Sequence, residues 1–77
     1  MKRTPRTQII ADVAAAAITL AWGESIPLTA TAIVRDVKNE DLRAVAIAHR
    51  ITRRELFDAV GAELCAMSER AIEMDAR

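Results

Sequence analysis

Histidine and cysteine, the side chains most often used in nucleophilic catalysis and metal binding, each occur once in this 77-residue chain, as His49 and Cys65. One cysteine cannot form an intramolecular disulfide or a multi-cysteine zinc site, and His49 would need carboxylates to complete a metal site. Asp36 and Glu40 are two carboxylates at i and i+4, and such a pair is more typical of a solvated surface than of a general acid and base. We therefore expect no enzymatic activity, no metal and no cofactor.

The charged side chains of residues 46–57, AIAHRITRRELF, are the next candidates for chemistry. Thr52 and Glu55 have the S/T-x-x-E spacing of a capping box, in which the threonine hydroxyl accepts a backbone N–H and the glutamate reaches back. The motif predicts that one helix ends before Thr52 and that a new helix begins at Arg53. Arg53 and Arg54 then occupy the first turn of that helix.

The formal net charge of zero conceals an uneven distribution of charge. Residues 1–54 carry nine Lys/Arg against five Asp/Glu, a net of +4, whereas residues 55–77 carry two against six, a net of −4. An evenly spread neutral chain would be a poor electrostatic binder of nucleic acid. This chain has a basic part and an acidic part, and the boundary falls at the capping box.

Four helices are predicted from apolar spacing and capping residues. The first follows Thr4 and Pro5, an expected cap and first helical residue, and Gly23 is its expected end. The third starts after Asn39, and the fourth starts at the capping box. The expected helices cover residues 5–22, 30–38, 40–50 and 53–74 of one helical domain spanning residues 1–77.

Residues 26–37 leave two conformations open. Apolar residues at i, i+3, i+4 and i+7 from Ala30 predict a helix capped by Thr29. The alternation from Ile26 to Val34 also permits an extended strand, but a single strand would have no partner in this chain. We favour the helix, and the predicted fold class is all-α, a compact bundle of three to four helices with a long C-terminal helix.

The long C-terminal helix carries an apolar seam with alternating steps of three and four residues, which is typical of a coiled-coil interface. The seam consists of Phe57, Val60, Leu64, Met67, Ala71 and Met74. It predicts a homodimer or partner interface through these residues, and packing within one chain explains the same pattern. Trp22 is expected to lie in the core rather than to act as an exposed anchor.

The N-terminal segment imitates a secretory signal peptide, with a basic start, an apolar stretch and an Ala-x-Ala at residues 30–32. Asp12 interrupts the apolar stretch, and residues 9–22 are shorter than the roughly 20 apolar residues that span a bilayer. We expect a cytoplasmic protein that does not enter a membrane. The richness in alanine and arginine is typical of a high-GC bacterium or its phage.

The stretch LRAVAIAHRITRRELFDAVG, residues 42–61, resembles a helix-turn-helix, closest to the compact form of Fis-like factors. Ala46 stands where that family has a small residue that lets its two helices approach. Ile51 takes the apolar position after the turn, and Leu56 and Ala59 take the inward positions of the second helix. The resemblance implies a helix-turn-helix within residues 42–66.

The resemblance also implies that the helix beginning at Arg53 enters the major groove of double-stranded DNA, in a regulator of transcription. Arg53, Arg54 and Asp58 would be the exposed readers, because a planar guanidinium pairs with guanine or clamps a phosphate. Arg50, Arg43 and the N-terminal Lys2, Arg3 and Arg6 would contact phosphates. The implied DNA-contacting residues are Lys2, Arg3, Arg6, Arg43, Arg50, Thr52, Arg53, Arg54 and Asp58.

Four residues depart from the family's pattern. Arg50 stands where the turn usually has glycine, and a non-glycine residue at positive φ is uncommon. His49 stands where an apolar residue is usual. Glu55 and Asp58 bring negative charge to the helix that would face phosphates, unless a carboxylate reads a cytosine or orients an arginine.

A second hypothesis needs no DNA. A small protein of the phage or mobile-element type can bind a host protein and inhibit or titrate it. The chain's size, neutral net charge and lack of catalytic groups suit that function. The acidic C-terminal helix would then be the surface that meets the host protein.

Overall fold

The computed structural model describes the backbone of residues 5–75 and the side chains of residues 5–68. Four helices follow one another in the described part of the chain, without a strand: α1 (Arg6–Gly23), α2 (Ala30–Asp36), α3 (Glu40–Ala48) and α4 (Arg53–Asp75). The predicted all-α bundle with a long C-terminal helix is confirmed. The segment with two open conformations is helical from Ala30 to Asp36.

Polar side chains start α2 and α3. The Thr29 hydroxyl and the Asn39 side-chain carbonyl each accept the backbone N–H three residues on, at 3.2 and 3.1 Å. These bonds satisfy N–H groups that have no partner within a helix. At α1 the N-cap is Pro5, without a side-chain cap, and the expected cap Thr4 lies outside the described residues.

The same left-handed motif ends α1 and α3. Ser25 and Arg50 have φ angles of 59° and 53°. The N–H groups of Ile26 and Ile51 donate to carbonyls five residues back, at 2.9 and 2.8 Å, as in a Schellman motif. Gly23, the expected end, is the last residue of α1, and its φ is not positive. The third helix ends at residue 48 rather than 50 because Arg50 leaves the right-handed helical region.

The core is built on α1, and much of it is alanine. Among the described side chains, α1 supplies six of the nine buried apolar residues, α2 supplies Ala32 and Ile33, and α4 supplies Val60. Ile33 and Val60 are the largest fully buried side chains. Alanine permits close helix approach but contributes little burial per residue. The buried alanines are Ala14, Ala17, Ala21 and Ala32.

The third helix makes close backbone contact with α1 and with no other helix in the described residues. It contributes no buried side chain, and within the described residues none of its Cα atoms lies within 8 Å of a Cα atom of α2 or α4. In contrast, α2 packs against both α1 and α4. The placement of α3 relative to α4 therefore depends on α1 and on the connection between the two helices.

Truncation of Ile33 tests this small core. Ile33 is 1% exposed, whereas Ile47 on α3 is 68% exposed. We expect Ile33→Ala to lower the free energy of unfolding by about 2–5 kcal/mol, because apolar burial is lost and a cavity remains. The matched control Ile47→Ala should change it by less than about 0.5 kcal/mol. Urea denaturation followed by circular dichroism measures both, and equal losses would contradict the assigned core.

Candidate nucleic-acid interface

Residues 49–55 connect α3 to α4 and are called the corner here. The Thr52 hydroxyl accepts the Glu55 N–H at 3.1 Å, and the Glu55 carboxylate accepts the Thr52 N–H at 3.0 Å. These are the two reciprocal bonds of a capping box. The predicted break before Thr52 and the start of α4 at Arg53 are confirmed.

Arg6, at the start of α1, forms hydrogen bonds with several groups of the corner. Its Nε donates to the His49 carbonyl at 3.2 Å, and its Nη2 donates to the Arg50 carbonyl at 2.8 Å and to Glu55 Oε1 at 2.9 Å. Its Nη1 pairs with the other oxygen of the Glu55 carboxylate. One guanidinium thus binds the carbonyls that end α3 and the glutamate that caps α4. The resemblance implied a phosphate contact for Arg6, but the corner uses its guanidinium instead.

This contact changes the protonation of Glu55. The hydrogen bonds from the Arg6 guanidinium, followed by the bond from the Thr52 N–H, lower the pKa of Glu55 from its ordinary value of 4.5 to about 2. The same bond to Glu55 raises the pKa of Arg6. At neutral pH, Glu55 is therefore an anion whose charge is offset within the corner.

Arg53 and Arg54 lie exposed in the first turn of α4. Arg54 Nε lies 3.4 Å from Oδ2 of Asp58, one turn further along the helix. Arg53 has no acidic partner among the described side chains, and the same is true of Arg43 and Arg50. Both carboxylates at the start of α4 are thus paired with arginine, while Arg53 remains available to a ligand.

A cleft of about 560 Å³ lies between α2, α3 and the start of α4. Ala46 of α3 lines this cleft and does not bring α3 and α4 together, in contrast to the close approach that the resemblance implied. The physical reason is that α3 packs on α1 and leaves a gap beside α4. One carboxylate, that of Glu40, and four cationic side chains line the cleft; the cations are Arg35, Lys38, Arg43 and Arg53.

A second hollow, of about 470 Å³, lies between α2 and α4. Arg35 and Arg53 line both the cleft and the hollow. The cleft and the hollow therefore form one continuous basic surface at the start of α4. The side chains that line the hollow are Thr31, Val34, Arg35, Arg53, Arg54 and Phe57. The structure therefore brings three arginines and the chain's one phenylalanine to the same place.

Sequence reasoning missed Arg35 and Lys38 as members of this surface. Arg35 forms a two-bond ion pair with Asp36, at 2.9 and 3.0 Å, which raises the pKa of Arg35 and lowers that of Asp36. The only sequence signal was two basic residues three positions apart near the end of α2. Their place beside Arg53 follows from the contact between α2 and α4, which no local pattern encodes.

Much of the predicted apolar seam belongs to the chain's own core. Val60 is fully buried, and Leu64 packs against the core cluster. The assignment of Val60 to a dimer or partner interface is therefore wrong, and Leu64 already has neighbours within the chain. The exposed members are Phe57 and Met67. The side chains of Ala71 and Met74 lie outside the described residues.

Trp22 is 75% exposed at the end of α1, so its expected place in the core is wrong. The left-handed Ser25 turns the chain so that Ile26 packs against the core near that end of the helix. His49 and Cys65 are also exposed. The described residues contain no group of three His, Cys, Asp or Glu side chains that could hold a metal ion, and no helix long and apolar enough to cross a membrane.

Comparison of the chain with models of protein families, with curated proteins and with solved structures finds no match.

The ion pair in the corner predicts a pH dependence of stability. Since the folded-state pKa of Glu55 is about 2 and its ordinary value is 4.5, ionised Glu55 stabilises the fold fully above about pH 4.5, and this is lost as the pH falls through about 2. The stability difference between wild type and Glu55→Gln should therefore grow from pH 2 to 4.5 and then level off.

Urea denaturation at a series of pH values measures this difference. Arg6→Gln is the control, because it removes the main cause of the lowered pKa and should flatten the same part of the profile. A wild-type profile in Arg6→Gln would contradict the assignment of the shift to Arg6.

The left-handed conformation of Arg50 predicts a stabilising substitution. We expect Arg50→Gly to raise the free energy of unfolding by about 0.5–1 kcal/mol, because glycine removes a strain of about 1–2 kcal/mol but loses more chain entropy on folding. Arg50→Ala removes the same charge and keeps the strain, so it should bring no gain. Thermal unfolding measures both variants. An Arg50→Gly variant no more stable than Arg50→Ala would refute the prediction.

Proposed function

We propose that this protein binds double-stranded DNA through the start of α4 and acts as a small transcriptional regulator. The charge balance at this helix end is the observation that carries the proposal. Glu55 is paired with Arg6 and Asp58 with Arg54, whereas Arg53 is exposed and without an acidic partner in the described residues. The carboxylates that would repel phosphates are thus offset, and guanidinium charge remains.

In this proposal, side chains at the start of α4 contact the DNA bases, and side chains of α3 and the corner contact the phosphates. Arg53 and Arg54 meet the DNA at the major groove, where a planar guanidinium binds guanine through two hydrogen bonds or clamps a phosphate. Asp58 orients Arg54 from one turn further along the helix. Arg43 and Arg50, also without acidic partners in the described part of the chain, meet phosphates and release counterions.

The backbone of the corner supports the same proposal. Arg50 adopts the positive φ that the glycine of a helix-turn-helix would adopt, so the departure at this position does not prevent the turn. The Thr52 hydroxyl accepts a bond in the capping box, and its own hydrogen can be donated to a phosphate oxygen. A homodimer would present two such corners to successive turns of the duplex, and Met67 is one of the two exposed seam residues among the described side chains.

The exposed Trp22 favours a second candidate, in which the chain binds a host protein. Tryptophan is enriched at the centres of protein interfaces, and Trp22 is 75% exposed. Glu55 and Asp58 already have arginine partners, so they add little to an acidic docking surface. Failure of the wild-type chain to shift duplex DNA would favour this candidate.

Removal of the two first-turn arginines tests the DNA proposal. At about 50 mM salt, where phosphate contacts are strong, the wild type should shift random duplex DNA, and Arg53→Ala with Arg54→Ala should abolish the shift. Helicity by circular dichroism should stay unchanged, because both side chains are exposed. Lysine at both positions keeps the charge and should preserve most of the shift, and Trp22→Ala should bind like wild type. Failure of the wild type to shift DNA refutes the proposal.

A further inference from the structure

The hollow between α2 and α4 combines an aromatic ring with three guanidinium groups. Phe57 is 41% exposed there, although it is a large apolar side chain. Arg53 and Arg54 reach the hollow from the first turn of α4, and Arg35 reaches it from the last turn of α2. The hollow has a volume of about 470 Å³ and is largely open to solvent.

The charges in the hollow favour an anion. Arg54 and Arg35 each have one carboxylate partner, at 3.4 Å from Asp58 and 2.9 Å from Asp36 respectively. Arg53 has none among the described side chains. Three guanidinium groups against two carboxylates leave a net positive charge, and the guanidinium of Arg53 can bind a phosphate through two hydrogen bonds.

The remaining side chains that line the hollow favour a ligand in which the anionic group is attached to a flat, apolar ring. Phe57 offers the face of a ring, and Val34 offers an aliphatic surface. Nucleobases stack on aromatic side chains and on guanidinium planes, and a positively charged groove beside such a ring is typical of sites for unpaired nucleotides. A base that is paired and stacked within an intact duplex cannot enter a concave site without being extruded.

We propose that this hollow binds one unpaired nucleobase, stacked on Phe57, with its phosphate held by Arg53. The inference rests on the proposed DNA-binding function and sharpens it, because it names DNA with an unpaired or extruded base as the preferred target. Extruding a base from an intact duplex costs free energy that a bulged base or a single strand does not require. Bulged and single-stranded DNA should therefore bind more tightly than the intact duplex.

Fluorescence anisotropy with the full chain tests this preference. The probes are a labelled duplex, the same duplex with one unpaired adenine, and the isolated strand. Stacking on one aromatic ring typically changes affinity by about 5- to 150-fold. We expect Phe57→Leu to lower the affinity for the bulged duplex and the strand by about tenfold, and to leave the affinity for the intact duplex unchanged. Leucine keeps the site apolar, and circular dichroism checks the fold.

Two further variants, with substitutions at the aromatic positions 22 and 57, distinguish loss of stacking from loss of folding. Trp22→Leu removes the other exposed aromatic side chain, which lines neither the cleft nor the hollow, and should bind all three probes like wild type. Phe57→Trp in a Trp22→Phe background places the chain's one tryptophan in the hollow. Its fluorescence should be quenched by the bulged duplex, and the preference for unpaired DNA should persist.

The outcomes separate this inference from the proposed function. An unchanged affinity of Phe57→Leu for the bulged duplex, or an equal loss for all three probes, overturns the stacking site. A wild type that binds the bulged duplex and the strand but not the intact duplex overturns the proposed duplex binding and supports the hollow. A wild type that binds none of the probes overturns both.

Discussion

Arg6 joins the ends of three helices through one guanidinium. It starts α1, donates to the carbonyls of His49 and Arg50 at the end of α3, and pairs with Glu55, which caps α4. Because α3 and α4 make no close backbone contact in the described residues, the angle between them depends on their separate packing against α1, on these Arg6 contacts and on the left-handed Arg50. Without Arg6, two carbonyls would lose a donor and a carboxylate would lose its cation.

Ion pairs between carboxylates and nearby arginines, more than the total charge, decide what the surface of this chain can bind. The formal net charge is zero, which taken alone disfavours binding to nucleic acid. Glu55, Asp58 and Asp36 each face an arginine at close range, so these carboxylates contribute little negative field to the surroundings. The cations left without acidic partners in the described residues include Arg43 and Arg53, which line one cleft. A neutral chain thereby carries a basic site.

The features predicted correctly from the sequence are those set by neighbouring residues. The capping box at Thr52 and the side-chain caps Thr29 and Asn39 need only a few residues of chain, and all three are present. The features that failed depend on distant contacts. Nothing near Arg6 indicates that its partner is Glu55, 49 residues away. The exposure of Trp22 and the approach of Arg35 to Arg53 likewise depend on how whole helices pack, which spacing alone does not determine.

The alanine-rich face of α1 explains why the hollow exists. Small side chains there allow α2 and α4 to lie close to α1, so that Ile33 and Val60 are enough to fill the space between the helices. Phe57, one helical turn before Val60, falls at the edge of that core and stays 41% exposed. A ring in this position gains only part of the burial free energy that it would gain inside, so folding alone gives little reason for it. Its place beside three arginines is the arrangement on which the proposed stacking site depends.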